Sequence, residues 1–206
     1  MMARPSIIVG IGGSAGGLKA YISLLESLPQ KTEMAFVIIA HMSPNSPSLL
    51  TELLAYKTAM PVTQALDGMP VLPNQVYVIA PNNDLMIEDY QFKVISPRTM
   101  IQGRHRQVDF FLSSLAESMR SQAIGIILSG GDRDGTEGCR SIRAKGGITF
   151  AQDLSADVDS MPLHAQASGC VDFVLAPEDI ARELVRISQL KVKPRSIDFQ
   201  NSDLLS

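Results

Sequence analysis

Short apolar runs alternate with amphipathic stretches along most of this chain, and this order constrains its fold more than any other feature. The continuous apolar run at residues 7–10 is typical of a strand buried on both faces. Residues 18–28 then carry leucine and isoleucine at helical spacing, and a second apolar run follows at 36–40. The repeated order predicts an α/β protein with a doubly wound, mainly parallel sheet and helices on both faces.

The other predicted elements keep this order, with one exception. Residues 84–88 and 91–96 flank Asp89-Tyr90 and predict an antiparallel hairpin at one edge of the sheet. Ser46-Pro47-Ser48 supplies the start of a helix that continues through residues 49–54. Further strands are predicted at 76–80, 124–128, 148–151 and 171–175, and further helices at 108–119, up to residue 144, near 162–168 and from 177 to about 190.

Length and composition fit one large domain. The chain has 206 residues, of which 45% are hydrophobic and 19% charged, so there is enough apolar mass for a sizeable core. Residues 1–190 are predicted to form this domain. Residues 191–206 lose the apolar period and are predicted to be a flexible tail or a linker.

Charge and cysteine content exclude several kinds of partner. The net charge is -3, and the densest basic stretch, Arg104-His105-Arg106, is too short to follow a phosphate backbone, so no nucleic acid is expected. This stretch is interpreted as a solvated loop, or as a contact with an acidic partner. No apolar run approaches the ~18–20 residues of a membrane span and no signal peptide is visible, so we expect a cytoplasmic protein without membrane insertion. Cys139 and Cys170 are isolated and are predicted to be buried reduced thiols rather than a disulfide or a metal site.

The glycine-rich stretch at residues 10–17 follows the first predicted strand and opens the first predicted helix. It satisfies a weak dinucleotide fingerprint, but that fingerprint also needs an acidic residue after the second strand, where this chain has His41. A P-loop needs lysine after its last glycine, and Leu18 stands there. The G-x-S-x-G elbow of α/β-hydrolases matches residues 12–16, although that family has its acid before its histidine. The stretch favours a hydrolase with a nucleophilic Ser14.

Serine, histidine and aspartate each follow a predicted strand. Ser14 follows the first strand, His41 the second, and a loop with Asp132 and Asp134 follows the strand at 124–128. The carboxyl ends of parallel strands meet at one edge, where a histidine can take the serine proton and a carboxylate can orient the histidine. Either aspartate fits that role, or caps the next helix as a turn residue.

The glycines beside Ser14 are expected to shape its turn. Gly12 and Gly13 are predicted to form a sharp turn with unusual dihedral angles. Residues 16–17 are predicted to open a helix whose first amides face the substrate, where they can stabilise an oxyanion.

The two other histidines and the acidic loop carry no predicted metal chemistry. His105 and His164 are interpreted as surface or packing residues. No cluster has metal-ligand spacing, and residues 132–135 do not follow the order of a calcium loop. No cofactor and no metal are therefore expected.

Several short stretches form a specific pattern when they are taken in order, although no single one is specific. They are Val-Gly-Ile-Gly-Gly-Ser-Ala-Gly-Gly at 9–17, Ala-His-Met at 40–42, Asp-Gly-Met-Pro at 67–70, Val-Tyr-Val-Ile-Ala-Pro at 76–81, Val-Asp at 108–109, Leu-Ser-Gly at 128–130 with Asp-Gly-Thr at 134–136, Gly-Gly at 146–147, Ala-Gln-Asp at 151–153, Met-Pro at 161–162 and Val-Asp-Phe at 171–173. This ordered set, which spans about residues 6–187, resembles the catalytic domain of the bacterial chemotaxis protein-glutamate methylesterases (CheB-type).

The resemblance implies a doubly wound α/β serine hydrolase that removes methyl groups from glutamate γ-methyl esters on chemoreceptor helices, and in some members deamidates receptor glutamines. It implies that Ser14 is the nucleophile, His41 the base and Asp134, which precedes the family's glycine, the orienting acid. The backbone amides of Ala15 and Gly131 are the implied oxyanion donors. Met161-Pro162 is implied to lie in a loop near the site.

Three positions depart from the family pattern. Ala40 stands where glutamine is usual, Asp132 where glycine is usual, and Ala15 where the free-standing enzymes often have threonine. Alanine at that position is more typical of versions fused to methyltransferase or sensory modules, and the family's receiver domain has no match in this chain. A receiver or methyltransferase module in cis or in trans is therefore a candidate partner. Two alternative functions stay open: a catalytically weak signalling or binding module, and an esterase or amidase for small molecules.

Overall fold

The computed structural model describes residues 3–43, 48–100 and 106–192. Its strands are β1 (Ile7–Gly13), β2 (Met34–Ala40), β3 (Val62–Gln64), β4 (Gln75–Val78), β5 (Asp84–Glu88), β6 (Gln91–Ile95), β7 (Ala123–Ile127), β8 (Ile148–Gln152) and β9 (Phe173–Leu175). Its helices are α1 (Gly17–Glu26), α2 (Leu50–Ala55), α3 (Gln107–Met119), α4 (Thr136–Ala144), α5 (Ser160–Ala167) and α6 (Pro177–Val192), with a 3-10 turn at Arg120–Gln122.

Seven of the strands form one parallel sheet in the order β3-β4-β2-β1-β7-β8-β9. The chain adds β2 on one side of β1 and later adds β7 on the other, so the strand order reverses between β1 and β7. In sheets of this kind the ligand lies outside the carboxyl ends of the strands at that reversal. The predicted doubly wound α/β fold is confirmed.

The predicted antiparallel hairpin is present, but it forms a sheet of its own rather than extending the edge of the main one. β5 and β6 pair in register from Asp84 with Ile95 to Glu88 with Gln91. The hairpin packs against α3, where the Ile87 amide donates a hydrogen bond of 3.2 Å to Ser114 Oγ. Its core side chains thus join those of α3 instead of lying at the end of the sheet.

Each face of the sheet buries its own core because the side chains of β1 alternate in direction. Ile7, Val9 and Ile11 pack with side chains of α1, α2 and α6. Ile8 points to the other face and packs with α3, α4 and α5. The prediction of helices on both faces is confirmed.

Two glycines in β1 let α3 lie close to the sheet. A Cβ atom on Gly10 would lie 2.5 Å from Leu112 Cδ2, and one on Gly12 would lie 2.3 Å from Val108 Cγ1. A side chain at either position would overpack this contact, at a cost of about 1–3 kcal/mol. The glycines therefore allow the first turn of α3 to approach the carboxyl end of β1.

Several boundaries differ from those predicted. β3 has no predicted counterpart, because three partly exposed residues at the sheet edge leave little hydrophobic pattern. β9 begins at Phe173, and α5 begins at Ser160. The predicted helix start at Ser46-Pro47 lies outside the described residues, as does most of the predicted tail. Within the described chain, no helix combines the length and the apolar character needed to cross a membrane.

The two cysteines are buried free thiols, as predicted. Cys170 Sγ lies 2.8 Å from Ser168 Oγ, and the adjacent Cys139 thiol together with this hydroxyl lowers the pKa of Cys170 to about 6. The hydrogen bond to Cys170 and full burial raise the pKa of Cys139 well above its usual range.

Candidate active site

Backbone hydrogen bonds bring the ends of three central strands together. The His41 amide donates to Gly13 O at 3.1 Å, and the Ser14 amide donates to Ser129 O at 2.9 Å. These bonds continue the pairing of β1 with β2 and with β7 beyond the strands. Ser14, His41 and the loop after β7 therefore meet at one edge of the sheet, as predicted from the strand order.

The turn that carries Ser14 is formed by Gly16 rather than by Gly12 and Gly13. Gly12 and Gly13 were predicted to form a sharp turn, but they are the last residues of β1, and the prediction is wrong. Gly16 has φ 74° and precedes the first residue of α1, and the Gly17 amide donates to Ser14 O at 2.9 Å. Gly13 is needed for space, since its Cβ would lie 2.5 Å from Tyr21 Oη.

His41 contacts a carboxylate at each ring nitrogen. Asp134 Oδ2 lies 2.7 Å from Nε2, and Asp132 Oδ2 lies 3.2 Å from Nδ1. Only 15% of the His41 side chain is exposed. Burial by itself lowers the pKa of His41, but the hydrogen bonds to both aspartates and their charges raise it from 6.5 to about 9. Because an ionised carboxylate only accepts, Nε2 carries the proton of the bond to Asp134, and the Asp132 carboxylate 3.2 Å from Nδ1 favours a proton there as well.

Asp134 is buried and held by the first turn of α3. Its Oδ2 accepts a hydrogen bond of 2.9 Å from the Val108 amide, and its Oδ1 accepts one of 2.8 Å from the Asp109 amide. Amides at a helix N-terminus have no partner within the helix and favour a negative charge. The close approach of α3 that Gly12 permits thus fixes the carboxylate that holds His41.

Asp109 of α3 makes the corresponding contact with the start of α4. Its Oδ1 accepts 2.9 Å hydrogen bonds from the Gly135 and Gly138 amides, at the start of α4. Burial and the charge of Asp134 raise the pKa of Asp109 to about 6, although these amides and Arg106 oppose the shift. The start of α3 is thus capped by Asp134 from the loop before α4, and the start of α4 is capped by Asp109 from α3. Asp109 belongs to the matching Val-Asp stretch at 108–109, but the sequence analysis gave it no role.

The two predicted oxyanion donors have amides that are not otherwise bonded. Within the described part of the chain, neither the Ala15 nor the Gly131 N–H has a hydrogen-bond partner. The Gly130 amide, by contrast, donates to Val158 O at 2.8 Å. Ala15 and Gly131 are therefore available as donors in the same region as Ser14, and Gly130 is not.

The Ser14 hydroxyl does not bond to His41 in this arrangement. Among the residues that the structure describes, no hydrogen bond involves Ser14 Oγ. The side chain is half-buried and lies beside Gly130, where an added Cβ would be 3.2 Å from Ser14 Cβ. Serine and histidine thus lie on neighbouring strand ends, while the ring is occupied on both sides by aspartates.

A cavity of about 1190 Å³ opens beside His41. Its lining is mostly charged or polar and comprises His41, Met42, Arg98, Arg106, Gln107, Asp109, Gly131, Asp132, Arg133, Asp134, Thr136, Glu137, Ser160, His164, Ala167 and Ser168. Met42 and Ala167 are the apolar side chains among these lining residues. An acyl chain would find few apolar contacts here, whereas a polar or charged segment would find many.

His164, which was interpreted as a surface or packing residue, contacts the backbone of its own helix. It is half-buried and lines the same cavity as His41. Its Nδ1 lies 2.7 Å from Ser160 O, and since a carbonyl only accepts, Nδ1 carries a proton. The helical spacing in α5 that puts His164 on the cavity side gave no signal in the sequence. His105 lies outside the described residues.

Met161 lies near the site, but in a helix rather than a loop. Met161 and Pro162 belong to the first turn of α5, and the Met161 amide donates to Gly130 O at 2.9 Å. Within the described chain, no group of three histidine, cysteine, aspartate or glutamate side chains is placed to hold a metal ion.

The fold and these contacts define a class of protein: a doubly wound α/β domain with serine, histidine and aspartate at the carboxyl ends of its central strands. The family model described as CheB methylesterase matches residues 9–184. The chain belongs to this family, whose named relatives are methylesterase hydrolases.

Individual relatives agree with this assignment. Protein-glutamate methylesterase/protein-glutamine glutaminase 3 of Pseudomonas aeruginosa is 33% identical over 183 residues, which is 87% of this chain and 54% of the relative. A putative enzyme of the same name from Leptospira interrogans is 29% identical over 195 residues, 94% of this chain and 100% of the relative. This chain thus spans about half the length of several relatives.

A solved structure supports the fold as well. The crystal structure of the Thermotoga maritima CheB methylesterase catalytic domain superposes with a TM-score of 0.80 and 29% identity, covering 88% of this chain and 98% of that domain.

Proposed function

We propose that this chain hydrolyses γ-methyl esters of glutamate side chains on chemoreceptors, using Ser14, His41 and Asp134. The observation that carries the proposal is the 2.7 Å contact of His41 with Asp134, at the sheet edge where Ser14 follows the first strand. The names of the relatives support the reaction class. The substrate, methylated cytoplasmic receptor helices, puts the proposed activity in the cytoplasm.

The proposed mechanism follows from the direction of each contact. Asp134 accepts the Nε2 proton of His41, so Nδ1 is the nitrogen left to take the Ser14 hydroxyl proton. Ser14 Oγ then attacks the ester carbonyl, and the resulting oxyanion is stabilised by the amides of Ala15 and Gly131. His41 returns the proton to the leaving methoxide, methanol departs, and water hydrolyses the acyl-enzyme by the reverse path. A glutamine substrate would give the same acyl-enzyme with loss of ammonia.

One observation favours a second candidate, a catalytically weak signalling or binding module. His41 is hydrogen-bonded to Asp134 and contacts Asp132, and in the described structure no hydrogen bond joins Ser14 Oγ to the ring. The polar lining of the cavity, in contrast, disfavours a general esterase for apolar small molecules. A receiver or methyltransferase module, in cis or in trans, is the proposed regulatory partner, since several relatives are about twice as long as this chain.

The test is methanol release from methylated receptor fragments. We expect release by the native chain and loss of at least about a thousandfold in Ser14→Ala, because the nucleophile is removed. Ser27→Ala is the matched control, since Ser27 is an exposed serine at the end of α1 whose hydroxyl bonds to Ser23 O of its own helix. Folded native chain without release, with and without a receiver domain added, would instead favour the binding module.

A further inference from the structure

Among the described residues, Asp132 contacts the His41 ring but has no part in the proposed mechanism. Its Oδ2 lies 3.2 Å from Nδ1 of the ring. Its Oδ1 accepts a 2.9 Å hydrogen bond from the Asp134 amide, which fixes the side chain beside the ring. About half of the Asp132 side chain is exposed, whereas 3% of the Asp134 side chain is, so Asp132 is the less enclosed of the two carboxylates at the ring.

The position of Asp132 is incompatible with His41 acting as the base for Ser14. The buried Asp134 occupies Nε2, so the Ser14 proton can be taken only by Nδ1. With its carboxylate 3.2 Å from Nδ1, Asp132 favours a proton on that nitrogen, because a negative charge stabilises the positively charged ring. A ring with protons on both nitrogens has no lone pair for the serine proton.

We propose that Asp132 is a positioning residue that keeps His41 in its doubly protonated form and must leave Nδ1 before Ser14 can transfer its proton. The catalytic part of this statement rests on the proposed function, whereas the effect on His41 does not. For one turnover to start, Asp132 moves away, the Nδ1 proton passes to a solvent base, and the freed lone pair accepts the Ser14 proton.

The other charged groups around the cavity have contacts elsewhere or act from further away. Arg98 donates to Met42 O and Gln107 Oε1, and Arg106 lies 3.8 Å from Asp109. Arg133, Glu137 and His164 line the cavity without a contact to the ring among the described residues. Asp132 and Asp134 are the groups that raise the pKa of His41 to about 9.

The first arm of the test is NMR titration of the imidazole signals. The chain has three histidines, so His41 can be assigned by its loss in His41→Gln. We expect His41 to titrate near pH 9 in the native chain and at least about one unit lower in Asp132→Asn and Asp132→Gly. Asparagine keeps the acceptor for the Asp134 amide and can donate to Nδ1, so it favours the neutral ring. Asp157→Asn is the matched control, because Asp157 has the same 49% exposure but pairs with Lys19.

The second arm is the pH profile of kcat/KM for methanol release. At pH 7 a group with a pKa of 9 is neutral in roughly one molecule in a hundred, so removing Asp132 should raise kcat/KM at pH 7 about tenfold or more. In the Asp132 variants, the pKa of the acid limb of the profile should fall by the same amount as the pKa of His41 measured by NMR. At pH 10 the native chain and Asp132→Gly should have similar rates.

Separate outcomes test the two proposals. An unchanged His41 titration in both variants would overturn the role of Asp132, whatever the activity. A fall in kcat/KM at every pH would also overturn it, since Asp132 would then assist the reaction. A shifted titration without methanol release from any variant would refute the proposed function and leave the effect of Asp132 on His41 established.

Discussion

The two sides of His41 differ in how firmly their carboxylates are held. Asp134 has 3% of its side chain exposed and accepts two amide hydrogen bonds from α3 in addition to the ring. The Asp132 side chain is 49% exposed and contacts the ring from a loop, at the longer distance of 3.2 Å. A buried, fully bonded acid fixes orientation, whereas an exposed acid can adjust the charge of the same ring. One side of the site is part of the core, and the other can respond to solvent or to a ligand.

The largest effect is expected from removing the buried carboxylate, Asp134. Asp134→Ala leaves the Val108 and Asp109 amides without acceptors and His41 without its orienting partner. We expect unfolding free energy to fall by about 3 kcal/mol and methanol release to fall by about a thousandfold or more. Urea unfolding and the methanol assay measure these losses.

Asp134→Asn is the matched variant, because it keeps one acceptor for the helix amides. It should recover part of the stability but not the activity, since an amide group presented to Nε2 favours the wrong tautomer of His41. Activity of Asp134→Ala within threefold of the native chain would show that the buried side has no special role.

The second change tests whether the helix caps stabilise the fold independently of any contact with the His41 ring. Asp109→Ala leaves the Gly135 and Gly138 amides without their acceptor, but it does not touch His41. We expect a loss of about 2 kcal/mol in unfolding free energy and a smaller loss of activity than for Asp134→Ala. Asp109→Asn keeps the Oδ1 acceptor and should lose less than about 1 kcal/mol. A loss below about 0.5 kcal/mol in Asp109→Ala would mean that water replaces the cap.

The smallest expected effect concerns the exposed carboxylate, Asp132, and is a pH dependence of the unfolding free energy. The pKa of His41 is raised in the folded chain to about 9 from 6.5, so its stabilisation is complete below pH 6.5 and is lost as the pH rises through 9. The unfolding free energy of the native chain should therefore exceed that of Asp132→Asn by about 1 kcal/mol at pH 6, and this difference should vanish near pH 10. Urea unfolding at several pH values measures it. A difference that is constant with pH, as expected for Asp157→Asn, would contradict a charge effect on His41.

The sequence predicted the fold and the approach of Ser14, His41 and the acidic loop because these depend on local pattern and on the rule that parallel strands end at one edge. It did not predict the contacts made by atoms far apart in the chain. Asp109 meets Gly135 across 26 residues, and His164 faces the cavity because of how α5 packs. The role of Gly12 was misjudged for the same reason, since a helix about a hundred residues away sets the space available to it. Sequence spacing could rank Asp134 above Asp132 by resemblance, but it could not show that both contact His41.

The exchange of caps between α3 and α4 has a consequence for how the site opens. Fraying the start of either helix removes an acceptor from the other, because Asp109 and Asp134 each belong to one helix start and bind the next. Local unfolding at this point is therefore cooperative, and the two helix starts form one small opening unit. A molecule in which this unit has opened no longer holds the acid against His41. On this basis, the contact between Asp134 and His41 exists only in molecules in which both helix starts are folded.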